Sequence, residues 1–233
     1  MLYRRHSTNI DLINTLKSCD VISSSLVEKV MKMVDRKFFA LHEPYDDCPQ
    51  SIGFNATISA PHIHAHALEF FKSKLIEPRC KALDVGCGSG FLTLCMSLMV
   101  GVLTNILNDS KGLVVGIDHF SELVDLSIKN IKNAGFGDLL EKGAIKLETH
   151  DGREGYLPES PYDVIYVGAA AQDVPKILLD QIAIGGKMMI PVGNFHQELQ
   201  VYERLVDGSI RATREFGVRF VPLTDKYSQY PVS

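Results

Sequence analysis

The chain has no Cys-x-x-Cys pair, although it contains five cysteines, Cys19, Cys48, Cys80, Cys87 and Cys95. An odd set without paired spacing fits neither a disulfide framework nor a zinc site, and it suits reduced thiols in a cytoplasmic protein. No metal ligand set is therefore expected from the cysteines. A long basic run is also missing and the formal net charge is −4, so nucleic acid is not an expected partner. Arg4 and Arg5 lead into Ser7, Thr8, Asn9 and Asp11 rather than an apolar stretch, which argues against a secretory signal. Internal repeats and low-complexity tracts are absent. One segment, Val85 to Asn108, lacks charge altogether and is long enough to span a bilayer. Glycines at its start and Thr104, Asn105 and Asn108 at its end leave only about a dozen continuous apolar residues, which predicts a helix buried against a sheet and no membrane span.

What is present suffices for a full core: 233 residues, 45% of them hydrophobic, most simply form one domain over residues 1–233. Within it, residues 1–79 read as amino-terminal helices and a loop, 80–193 as an α/β core, and 194–233 as carboxyl-terminal strands. Ile10 to Leu16 and Leu26 to Val34 have helical apolar spacing, the second after the candidate caps Ser23, Ser24 and Ser25. Strand-like and helix-like segments then alternate. Cys80 to Val85, Leu113 to Ile117, Ala144 to Leu147, Asp163 to Val167 and Lys187 to Val192 predict strands. Phe91 to Val102, Ser121 to Ala134 and Val174 to Ile184 predict helices. The second of these should turn Leu123, Val124, Ile128 and Ile131 inward, and the third should close at Gly185-Gly186. Leu199 to Leu205 and Ile210 to Phe216 flank Asp207-Gly208, a hairpin signal, and Asn105 to Gly112 reads as a polar inserted loop. The alternation implies a doubly wound, mainly parallel sheet whose ligands gather beyond the carboxyl ends of the strands.

The turn Leu83-Asp84-Val85-Gly86-Cys87-Gly88-Ser89-Gly90 lies at one such strand end, and Asp118 closes the next strand. Its glycines let the backbone turn tightly and approach a ligand. A dinucleotide fingerprint needs a further glycine or alanine where Phe91 stands, so the spacing turns away from a diphosphate. An acidic residue before the turn suits a ligand with an ammonium group and a ribose, such as S-adenosylmethionine. Gly88-Ser89-Gly90 lacks the spacing of a nucleophile elbow.

A second constellation, Asn55-Ala56-Thr57-Ile58-Ser59-Ala60-Pro61-His62, precedes the turn. Pro61 suits the first turn of a helix that continues from His62 to Phe71. Ser59 then lies near free backbone N–H groups, where it either caps the helix or faces an anion; the residues alone leave both open. His62, His64 and His66 are two apart and diverge on a helix, and no carboxylate completes a metal set.

These two runs, with Asp151-Gly152, Val167-Gly168-Ala169-Ala170-Ala171, Pro191-Val192-Gly193 and Val221-Pro222-Leu223-Thr224-Asp225, resemble the protein-L-isoaspartate (D-aspartate) O-methyltransferase family over almost the whole chain. The Asn105 to Gly112 insertion and the stretch Tyr227 to Ser233 depart from it. The resemblance implies a Rossmann-like methyltransferase that uses S-adenosyl-L-methionine, leaves S-adenosyl-L-homocysteine, and methylates isoaspartyl-containing proteins and peptides, acting as a monomer. It implies that Ser59 orients the acceptor carboxylate and that Ala56, Thr57, Ile58, Ser59 and His64 border donor and acceptor. Asp84, Gly86, Gly88 and Gly90 would hold the methionine part, Asp118 the ribose with His119 beside it, and Asp151 and Gly152 the adenine; Thr224 and Gln229 would also lie near the donor.

Overall fold

The computed structural model describes residues 6–107 and 112–230, without the side chains of residues 101–107. Of the expected loop at Asn105 to Gly112, residues 108–111 lie outside the described residues, as does the end of the stretch Tyr227 to Ser233, while residues 105–107 continue a helix instead of forming a loop.

The chain opens with α1 (Asn9–Ser18), where the Thr8 side chain accepts from the Asp11 amide, and α2 (Ser25–Met33), where Ser24 accepts from Leu26. These are the side-chain caps that satisfy otherwise unpaired first-turn donors. A small antiparallel hairpin follows, β1 (Gln50–Gly53) and β2 (Ala56–Ile58), where a loop was expected. Phe54 and Asn55 form its turn at φ of 52° and 54°, a left-handed pair that short polar asparagine tolerates and phenylalanine does not favour. α3 (Pro61–Leu75) carries Pro61 at its start, as expected.

The core then runs β3 (Lys81–Val85), α4 (Phe91–Leu107), β4 (Leu113–Asp118), α5 (Ser121–Asn133), α6 (Gly137–Glu141), β5 (Ile145–Thr149), β6 (Tyr162–Val167), α7 (Lys176–Asp180), β7 (Ile182–Val192), β8 (Gln197–Arg204), β9 (Ile210–Val218) and α8 (Lys226–Gln229). A seven-stranded sheet has the order β5-β4-β3-β6-β7-β8-β9. The first five strands are parallel, and β7, β8 and β9 pair antiparallel around the turn at Asp207-Gly208. The reversal of winding falls between β3 and β6, and this is where an open α/β sheet leaves a crevice.

Helices α1 to α5 cover one face, sharing an apolar layer that includes Leu12, Val30, Leu68, Phe91, Met96 and Ile131 with the sheet residues Ala82, Val114 and Val164. The other face, with Leu83, Val85, Ile165 and Val167, is covered more thinly, by Leu178 of α7 and by neighbouring loops. The uncharged run forms α4 against the sheet, with Leu94, Cys95, Met96 and Met99 fully buried; among the described residues no helix is long and apolar enough to cross a membrane.

Two expectations change. The helix expected from Val174 to Ile184 is only the five residues of α7, and Gly185-Gly186 sits inside β7 instead of ending a helix. The pairing shifts there between Tyr162 and Val164, and a Cβ on Gly186 would lie 2.8 Å from the Tyr162 carbonyl oxygen, so the glycine pair makes a bulge in the strand. In α5, Ile128 is half-exposed while the polar Ser127 and Asn130 are buried.

Candidate active site

The buried polar residues of α5 support the glycine turn. Ser127 Oγ donates to the Gly88 carbonyl at 2.8 Å, and Asn130 Nδ2 donates to the Ser89 carbonyl at 3.0 Å. The Gly86 and Cys87 amides donate to the Ile117 carbonyl at 2.8 and 2.9 Å. Asp118 Oδ2 accepts from the Gly88 amide at 3.2 Å, and Oδ1 from the Phe120 amide at the same distance. Gly86 and Gly88 stand at φ of 78° and 54°. A Cβ on Gly86 would meet nothing within 4 Å, because it would project into a cavity. Gly90 serves differently: it lies off the cavity, and a Cβ there would press on Ser127 at 3.1 Å, so it lets α4 approach α5.

That cavity, of about 510 Å³, is lined by Ala56, Thr57, Gly86, Gly88, Asp118, His119, Gly152, Gly168, Thr224 and Gln229, among others. Nine of the fifteen expected donor-binding residues meet there although they come from six separate stretches of sequence, while Ile58, Ser59, His64 and Asp84 do not line this space. Asp151 is placed otherwise, since its carboxylate is gripped by Arg153, with Nη2 to Oδ2 at 2.6 Å, and only its neighbour Gly152 reaches the wall. A clasp closes the cavity at its rim: Asn55 Nδ2 donates to the Gln229 carbonyl at 2.8 Å and Gln229 Nε2 donates to the Phe54 carbonyl at 3.0 Å. Phe54 lies 5.0 Å from Phe120 and 5.6 Å from Tyr230, ring centre to ring centre, which adds an apolar seam to the clasp.

A second, inner cavity of about 330 Å³ shares Thr57, Gly86, Gly88 and Gly168 with the first and adds Ile58, Ser59, His64, Asp84 and Tyr166. Asp84 is buried and accepts from Thr93 Oγ1 at 2.5 Å. Burial pushes its carboxyl up to about 7, against the Thr93 hydrogen bond and with help from the charge of Asp118. His64 is held neutral, its proton affinity lowered by burial and by Arg36 beside it, and its ring stacks on Phe91 at 5.0 Å. The other two histidines diverge: His62 Nδ1 meets Asp47 Oδ1 at 2.8 Å, and His66 sets its ring against Phe216.

The junction between β2 and α3 excludes the capping reading of Ser59. Ala60 is the N-cap and no side chain caps the helix there; Asp47 accepts the His62 amide instead, at 2.9 Å. The Ser59 hydroxyl is thus free of capping, while its carbonyl accepts from Arg36 Nη2 at 2.8 Å. Arg36, fully buried beneath the site and 5.5 Å above the Phe91 ring, had no signal in the sequence. Burial lowers its guanidinium to about 10, so it remains a cation at neutral pH.

Thr57 and Ser59 also line an open outer cleft of about 1680 Å³, with Ile63, Phe195, Glu198, Phe216 and Arg219 along its sides. The hairpin strand β2 and the residue after it therefore form the wall between the two adjoining cavities and a wider surface groove.

The residues fit the expected donor. A buried carboxylate (Asp84) stands where an ammonium group needs one, a second (Asp118) ends the neighbouring strand, and Gly86 leaves open the space that a side chain would fill. Fold and site define the class: a Rossmann-like, S-adenosylmethionine-dependent methyltransferase. The sequence model of the protein-L-isoaspartate(D-aspartate) O-methyltransferase (PCMT) family matches residues 7–228. A protein-L-isoaspartate O-methyltransferase of Caenorhabditis elegans is 45% identical over 226 residues, 96% of each chain. The protein-L-isoaspartate O-methyltransferase 2 of Arabidopsis thaliana is 47% identical over 220 residues, 94% of this chain and 68% of that one. Among solved structures, a Plasmodium falciparum protein-L-isoaspartate O-methyltransferase in complex with S-adenosyl-L-homocysteine superposes with a TM-score of 0.84 at 33% identity, covering 94% of this chain and 99% of that chain. This chain belongs to the protein-L-isoaspartate (D-aspartate) O-methyltransferase family.

Proposed function

We propose that the chain methylates the free carboxylate of L-isoaspartyl and D-aspartyl residues in damaged proteins and peptides, with Ser59 orienting the acceptor. The observation that carries this reading is the shared wall: Thr57 and Ser59 line both the inner cavity and the outer cleft, so an acceptor reaching in from the cleft meets Ser59 at the edge of the donor space. S-adenosylmethionine, when bound, supplies a sulfonium methyl group as electrophile. Asp84 would hold its ammonium group and Asp118, with His119, its ribose hydroxyls; Gly152 and Thr224 line the far part of the cavity, and Gln229 closes it.

The acceptor needs no general base, because a carboxyl group with an ordinary pKa of about 4 is already an anion at neutral pH. The site has only to place it. Holding reactants in line can lower a barrier by roughly 7 to 11 kcal/mol. Ser59 Oγ is suited to donate to one carboxylate oxygen and leave the other free to attack, while His64, held neutral by burial and by Arg36 beside it, stacks on the Phe91 ring along the same cavity. In the methyl ester so formed the amide nitrogen of the following residue attacks the ester carbonyl and expels methanol, giving a succinimide without further catalysis, and its hydrolysis returns part of the damaged residue to normal aspartate.

The whole chain is proposed to work as one domain and as a monomer. The amino-terminal helices share an apolar layer with the sheet, and the large exposed apolar side chains Leu41, Leu157, Phe195 and Val206 lie on separate segments. Its five free thiols suit the cytoplasm.

Labelled methyl transfer from S-adenosylmethionine to an isoaspartyl peptide, with the aspartyl isomer as control, tests the reaction. Labelling of the isoaspartyl peptide alone is expected, and equal labelling of the two overturns the substrate assignment. Ser59→Ala is expected to lower turnover at least tenfold, by the loss of one hydrogen bond to a charged group, with affinity for S-adenosylhomocysteine held within about twofold.

A further inference from the structure

Three buried side-chain polar atoms lack a hydrogen-bond partner among the described residues: Arg36 Nε, His66 Nε2 and the hydroxyl of Tyr166. Arg36 is otherwise satisfied through its other nitrogens, and His66 lies against Phe216 away from the inner cavity. Tyr166 is different, because its side chain lines the inner cavity. It is 2% exposed on β6, paired in register with Asp84 on β3, so both side chains leave the same face of the sheet. A phenylalanine would fill the same volume without stranding a hydroxyl in an apolar layer, and an unpaired buried O–H costs stability. Burial holds the phenol well above its usual range, with the negative charge of Asp84 adding, so the group remains a neutral donor. The Ser59 hydroxyl is near enough to favour the phenolate slightly, yet the two make no hydrogen bond.

Resting on the acceptor reading above, we propose that the Tyr166 hydroxyl is a second donor to the acceptor carboxylate, behind Ser59, so that two hydroxyls from different elements fix the carboxylate plane. Thr57 and Ser59 line both the cleft and the inner cavity, and Tyr166 lies on the sheet-side wall of the latter. The hydroxyl is unpartnered in the free protein because its partner arrives with the substrate.

Tyr166→Phe separates the alternatives. The variant is expected to melt at the same temperature as the parent or higher, to bind S-adenosylhomocysteine with affinity within twofold by calorimetry, and to lose about tenfold in kcat/KM for an isoaspartyl peptide. Combined with Ser59→Ala, the loss should be less than the product of the two single losses, because both hydroxyls serve one carboxylate. A matching fall in S-adenosylhomocysteine affinity, with kcat at saturating donor unchanged, would assign the hydroxyl to the donor's own carboxylate and overturn the proposal. A lowered melting temperature with unchanged kcat/KM would make Tyr166 a packing residue and overturn it equally. Should the parent methylate no isoaspartyl peptide, the acceptor reading fails on its own; calorimetric titration of the same peptide into parent and Tyr166→Phe, each saturated with S-adenosylhomocysteine, still judges the hydroxyl, and equal affinities overturn it.

Discussion

The inner cavities and the outer cleft meet at Thr57 and Ser59 but are built on opposite plans. The donor side is braced from behind: Ser127 and Asn130 hold the carbonyls of the glycine turn, Asp118 holds its amide, and Thr93 holds Asp84. The proposed acceptor side is more open, and although Gln197 exchanges hydrogen bonds with the Phe220 backbone there, its outermost side chains are loosely held. Phe195 is 100% exposed, Glu198 is drawn off to Arg214 at 3.4 Å, and Arg219 has no ion-pair or hydrogen-bond partner among the described residues. The difference follows from what each side must receive. A ligand of fixed shape rewards a preorganised wall, whereas damaged segments of many sequences need a groove that makes few demands beyond the carboxylate itself.

The contrast can be broken most sharply on the braced side. Asp118→Ala is expected to weaken S-adenosylhomocysteine binding about a hundredfold, roughly 3 kcal/mol, by removing a carboxylate that hydroxyl groups would share. Calorimetry measures this, and a loss below threefold would show that Asp118 serves only to hold the turn.

Next in size is a pH effect carried by Asp84. Its folded-state carboxyl is pushed up to about 7, above the ordinary value near 4, so the ligand-free fold binds this proton more tightly than the unfolded chain does. From this group, therefore, the free protein loses stability as pH climbs from about 4 to about 7, and loses no more above that. A donor ammonium favours the carboxylate. Affinity for S-adenosylhomocysteine should then rise with pH by up to about tenfold per unit below about 7 and level off beyond it. A flat profile between about pH 5.5 and about pH 8 would separate Asp84 from the ammonium group.

The smallest effect belongs to the open side. Arg219→Glu should lower kcat/KM by a few-fold for isoaspartyl peptides with acidic flanking residues and leave peptides with neutral flanks unchanged, as suits an exposed charge pair. Equal changes for both peptides would locate the effect elsewhere.

The same division runs through what sequence reading could recover. Asp84, Gly86, Gly88 and Asp118 were legible because a turn between a strand and a helix has a local spacing, and strand alternation marked the sheet. Arg36, Tyr166, Ser127 and Asn130 were not. Tyr166 reads as one more apolar residue in a buried strand, and the buttresses Ser127 and Asn130 act on Gly88 and Ser89 some forty residues away, with no local pattern to announce them. Gly185-Gly186 misled because a glycine pair ends helices and makes strand bulges alike, and only the pairing with Tyr162 and Val164 chooses between them. Gly90 carried the motif's spacing but serves helix packing against Ser127.

The clasp between Asn55 and Gln229 has a chemical lifetime. It depends on an amide N–H at position 55 donating across 2.8 Å to a backbone carbonyl. Deamidation of that side chain, the ageing reaction that turns asparagine into aspartate and isoaspartate, would replace the donor with a carboxylate and set lone pairs against lone pairs at the rim of the donor cavity. Such a change would leave the Gln229 Nε2 bond to the Phe54 carbonyl and the aromatic seam to hold the rim on their own.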